Sequence, residues 1–116
     1  MKKLVLACAM LASVSACAQS PRSITAVSMA GSYDKLSCKS ASALYDEEAA
    51  KVPSLVSQQK AAVTGDAIGV FLLAVPVSSL SGGDMEGEIA TSKGKLNALD
   101  ARMQECGIKK APVSWA

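Results

Sequence analysis

Residues 85–106 read MEGEIATSKGKLNALDARMQEC, and within them Met85, Ile89, Ser92, Leu96, Leu99, Met103 and Cys106 recur in alternating steps of four and three. That spacing gathers one narrow apolar stripe on a single face of an α-helix, because about 3.6 residues complete a turn. Asp84 is placed to cap this helix, Glu86 and Glu88 favour the positive end of its dipole, and Gly107 suits the left-handed position that ends it. A second stripe lies upstream in Cys38, Ala41, Tyr45, Glu48, Val52, Leu55, Gln59 and Ala62, with Glu48 and Gln59 as polar exceptions. An interior proline costs about 3 kcal/mol, so Pro53 predicts a break over residues 51–53. The acidic cluster Asp46, Glu47 and Glu48 is expected to be a solvated patch.

The start of the chain decides which cysteines are available to these helices. Met1, Lys2 and Lys3 precede the apolar stretch LVLACAMLASVSA at 4–16, the pattern of a secretory signal too short to span a membrane. Val14-Ser15-Ala16-Cys17 resembles the lipobox of bacterial lipoproteins, in which the cysteine takes a diacylglycerol, becomes the first residue and then receives a further acyl chain such as palmitate. Two or three chains hold a protein on a bilayer where one does so only reversibly. Ala18, in place of the aspartate that resembles an inner-membrane retention signal, points to the outer membrane, with the body facing the periplasm. The competing reading takes Ala16-Cys17-Ala18 as an ordinary signal-peptidase site, which releases a soluble periplasmic protein starting at Gln19.

Of the four cysteines, Cys8 is discarded with the leader and Cys17 is the lipidation residue, which leaves Cys38 and Cys106. Cys38 opens the first stripe and Cys106 closes the second, so an antiparallel pairing of the helices brings both thiols to one end. In an oxidising compartment such a pair is expected to join, the other outcome being two free buried thiols. The fold class that follows is all-α: a disulfide-linked antiparallel helical hairpin with a short apolar middle helix, after a cleaved signal peptide and a flexible tether. The corresponding segments are a signal peptide at 1–16, a lipidated N-terminus and tether at 17–32, the hairpin domain at 33–107 and a tail at 108–116. In that tail Trp115 either docks on the helices or touches a membrane interface.

Composition narrows the function more than it names it. The chain has 116 residues, no histidine and 3% aromatic residues, and its net charge of +2 matches Lys2 and Lys3 of the leader. A neutral exported chain with few aromatics gives no support to nucleic-acid binding. Without histidine the commonest general base and the usual zinc sets are missing, and Gly94-Lys95 is followed by Leu96 rather than the serine or threonine of a phosphate loop. No catalytic residue, metal ligand or cofactor is therefore expected, and the protein reads as non-enzymatic.

The apolar middle, residues 61–83, includes the charge-free run 67–80, whose helix would reach only about 21 Å against a hydrocarbon core of about 30 Å. Ala61, Gly65 and Gly69 lie four apart, a small-residue stripe that lets helices approach closely. This segment either packs as a buried helix against the hairpin or inserts into a bilayer or a partner. Gly87, Ala90, Gly94 and Ala101 form a small-residue face on the last helix that could accept it.

As a set, Tyr33-Asp34 through Leu36 and Cys38, Glu47-Glu48, the Asp-Ala-Ile-Gly run at 66–69, the Ser-Gly-Gly-Asp turn at 81–84, Lys93-Gly94 before Leu96 and Leu99, and Cys106 resemble a group of small uncharacterised lipoproteins of Gram-negative bacteria. Thr91-Ser92 departs from the apolar residues similar proteins tend to carry there. The resemblance implies location and topology: a lipid-anchored envelope protein of structural or interaction type, with the membrane and an envelope protein as partners. The alternatives are a membrane-active lysis or pore-forming lipoprotein working through 61–83, and a secreted soluble periplasmic protein.

Overall fold

The computed structural model describes residues 18–73 and 85–116, the backbone alone over 66–73. The leader with Cys8 and Cys17, and the Ser-Gly-Gly-Asp turn expected at 81–84, lie outside the described residues. Among the described residues the fold is all-helical, with helix α1 (Cys38–Leu73), helix α2 (Glu86–Glu105) and a single 3-10 turn at Pro21–Ser23.

Ser37 starts α1 as its N-cap: its hydroxyl accepts the Ser40 N–H at 3.1 Å, and its carbonyl accepts the Ala41 N–H at 2.8 Å. From there the stripe read in the sequence is the stripe the fold buries. Ala41, Tyr45, Glu48, Val52, Leu55, Gln59 and Ala62 are all buried, and so are Ile89, Ser92, Leu96, Leu99 and Met103 opposite them. Ile89, Leu99 and Met103 form the largest fully enclosed side chains of the seam. Cys38 and Cys106 are joined by a disulfide at one end of the hairpin, and Gln59 meets Met85 toward the other, which makes the helices antiparallel.

Four expectations are corrected. Helix α1 runs through Pro53 without a break. Pro53 removes the donor that would meet the Ala49 carbonyl, but Val52, Leu55 and Val56 beside it are buried. Burial of a valine or leucine side chain stabilises by about 1.5–3 kcal/mol, so together they outweigh the proline. The apolar segment does not begin a separate middle helix, because residues 61–73 continue α1. No proline intervenes there, and the glycine penalty of about 1 kcal/mol each at Gly65 and Gly69 is too small to end the helix. Met85, not Asp84, occupies the N-cap position of α2, and its carbonyl accepts the Ile89 N–H at 2.9 Å. The flexible tether is, from residue 18 on, a strap laid along the helices: Pro21 and Ile24 are buried, and the Val27 N–H donates to the Ala90 carbonyl at 2.9 Å.

The end of α2 follows from Gly107, whose φ of 72° lies in the left-handed region. Its N–H donates to Gln104 O at 3.1 Å and the Ile108 N–H to Met103 O at 2.9 Å, the paired bonds of a Schellman motif. The turn sends the tail back across the hairpin, where Ile108, Val113 and Trp115 pack on the core of Tyr45, Val52, Val56, Leu96 and Met103. The Tyr45 hydroxyl reaches Ala111 O at 3.4 Å, and Lys110 pairs with Asp46 at 2.9 Å. Residues 108–116 are thus part of the folded body, and Trp115 docks on the helices.

Candidate functional site

Two constellations stand out on this scaffold. The first is built where the strap crosses the hairpin. The Lys93 ammonium donates to Ile24 O at 2.6 Å, to Pro21 O at 2.7 Å and to Arg22 O at 3.4 Å, and it sits 5.2 Å from the centre of the Trp115 ring. A cation gathering several carbonyls while stacked on an indole is a strong clasp, since charged hydrogen bonds exceed neutral ones and the ring face is electronegative. Burial pushes the Lys93 ammonium down from the ordinary lysine value.

Toward the end away from the disulfide, the Gln59 side chain is fully buried and uses both ends of its amide. Its Nε2 donates to Gln19 O at 2.6 Å, and its Oε1 accepts the Met85 N–H at 2.7 Å. One glutamine therefore ties the strap to α1 and α1 to the start of α2. Gly94 completes the arrangement, because an ideal Cβ there would collide with the Val27 carbonyl oxygen and lie 3.1 Å from the Val27 carbonyl carbon.

The second constellation surrounds Glu48, buried between the helices on the wall of a groove of about 630 Å³. Lys51 donates to Glu48 Oε2 at 3.0 Å and the Lys95 ammonium stands 3.8 Å from the same oxygen. Burial pushes the Glu48 carboxyl up, but the Lys51 hydrogen bond, the nearby Ser92 and the two ammonium charges outweigh it and hold the group below its ordinary value of 4.5. Ser92 Oγ is buried near Glu48 and makes no hydrogen bond of normal geometry. A carboxylate engaged in this way is an ion-pair hub rather than a base. The solvated-patch expectation accordingly holds for Asp46 and Glu47, which are exposed, and fails for Glu48, whose place in the stripe decides its burial.

Because the folded-state pKa of Glu48 is lowered, its stabilisation is present above the ordinary glutamate value and disappears as pH falls through the lower folded value. Glu48→Gln should therefore destabilise the protein at neutral pH and converge with the unaltered chain in acid. Urea midpoints measured across that range check this, and a gap that persists unchanged in acid would contradict it.

The predicted site residues fall as follows. Cys38 and Cys106 are brought together, while Cys17 lies outside the described residues. Gly94 is a close-contact residue as expected, yet its partner is the strap and not a helix. The reason is that the strap backbone, pinned by Lys93, reaches that face first. Ala61 is exposed, and nothing described lies within 4 Å of a methyl placed on Gly65, so neither mediates a helix contact among the described residues. The surroundings of Gly69 are not among those described. Lys93 and the clasping role of Gln59 have no motif in the sequence; the one visible signal was a polar residue inside an apolar stripe. Among the described residues no three His, Cys, Asp or Glu side chains gather in a metal-binding group, and no helix is long and apolar enough to cross a membrane. Comparison with protein families, curated proteins and solved structures gives no match.

Proposed function

We propose that the protein is a non-enzymatic, lipid-anchored component of the bacterial cell envelope, held on the periplasmic side of the outer membrane by acyl chains on Cys17. The observation that carries this reading is the Val14-Ser15-Ala16-Cys17 sequence behind a basic and apolar leader. The Cys38–Cys106 disulfide supports export, because such bonds persist in oxidising compartments. The strap adds a mechanical consequence. Gln19 is bonded to the fold two residues after Cys17, so an anchor there holds the body close to the lipid and leaves it little freedom to swing.

Blocking lipoprotein signal peptidase should leave a larger precursor, and Cys17→Ala should move the mature protein from the membrane to the soluble fraction. Unchanged fractionation of that variant would overturn the anchor.

A further inference from the structure

The strap delivers the chain to a particular face. At its first turn Pro21 and Arg22, together with Lys60 and Val63 of α1 and the docked Trp115, line a cavity of about 500 Å³. Arg22 and Lys60 are exposed and Trp115 is half-buried; no acidic side chain lines this cavity among the described residues, and the carboxylate of Ala116, the last residue, offsets one of the two positive charges. Ser20, three residues after Cys17 in the sequence, is also part of the cavity lining. Beyond the level at which Gln59 meets Met85, α1 continues from Lys60 to Leu73, about 21 Å of helix, and its sequence from 67 to 73 is uncharged. The disulfide lies at the opposite end.

We infer that the Arg22, Lys60 and Trp115 face rests on the headgroups of an anionic phospholipid surface, with the disulfide end directed away from it. Two cations beside an indole suit that position, since basic side chains are attracted to anionic lipid and tryptophan favours the boundary between headgroups and hydrocarbon. The occupant is the bilayer rather than a protein because two cations and an indole share the face and because, on the lipid-anchor reading, the acylated residue stands two positions before Gln19, which Gln59 holds next to Lys60 in α1. The inference rests on the lipid-anchor reading for that last point.

Trp115 is the single tryptophan of the chain and so reports on this face directly. The acylated protein, purified from membranes, is reconstituted into vesicles of phosphatidylethanolamine and phosphatidylglycerol containing a lipid brominated near the headgroup. Trp115 fluorescence should be quenched, less so in vesicles of phosphatidylcholine alone. The double variant Arg22→Glu, Lys60→Glu should lose the quenching while keeping its circular dichroism and still floating with the vesicles. Protein that floats with unquenched Trp115, or a double variant quenched as strongly as the unaltered chain, overturns this surface and leaves the anchor standing. Protein with no acyl chain overturns the anchor, and quenching by added phosphatidylglycerol vesicles then scores the surface by itself.

Discussion

Reduction of the Cys38–Cys106 bond should lower the unfolding free energy by roughly 4 kcal/mol, the entropy that closing a loop of this length removes from the unfolded chain. The sequence separation is 68, so most of the described fold lies inside the closed loop. A chain of this size has a total stability of about 5–15 kcal/mol, and such a loss takes a large part of it. The seam would remain apolar and complementary, so the reduced chain should keep helical content while its urea midpoint falls. Urea unfolding followed by circular dichroism, with and without reductant, reads the effect, with Cys38→Ser plus Cys106→Ser as the permanent equivalent. A midpoint that does not move would mean that the two helices hold each other without the staple.

Gly94→Ala should destabilise by about 1–3 kcal/mol, against the gain of up to about 1 kcal/mol that alanine ordinarily brings to a helix. The sign is what matters. Val27 is fixed from its other side by its N–H bond to Ala90, so its carbonyl cannot withdraw from the added methyl without opening the strap. Gly87 provides the control on the same helix, since nothing lies within 4 Å of a methyl placed there and the residue is exposed. Gly87→Ala should be neutral or stabilising. Thermal unfolding of both variants with the disulfide intact settles the comparison, and a stabilised Gly94→Ala would show that the strap does not occupy the groove.

The contrast between seam and strap explains how much of the fold was legible. Ile89, Leu96, Leu99 and Met103 announce themselves because side-chain burial on a helix imposes a period, and the cysteines at the stripe ends follow the same geometry. Pro53 misleads because its penalty is local, whereas the burial of Val52, Leu55 and Val56 that overrides it is a property of the assembled pair. Glu48 and Gln59 look like flaws in an apolar stripe because, apart from Lys51 one turn on, their partners come from elsewhere in the chain: Lys95 for one, Gln19 and Met85 for the other. The strap has no sequence pattern to read. It is held by main-chain carbonyls on Lys93 and by a main-chain approach to Gly94, and backbone groups are the same in every residue.

The central claim, an exported chain acylated at one cysteine and stapled by two others, is tested most directly by intact-mass spectrometry of the protein extracted from membranes without reductant and treated with a thiol-alkylating reagent. The account predicts a chain that begins at Cys17, carries the mass of a diacylglycerol and a further acyl group, and takes up no alkylating label. A chain that begins at Gln19 without lipid, or one that accepts label at Cys38 and Cys106, would contradict it.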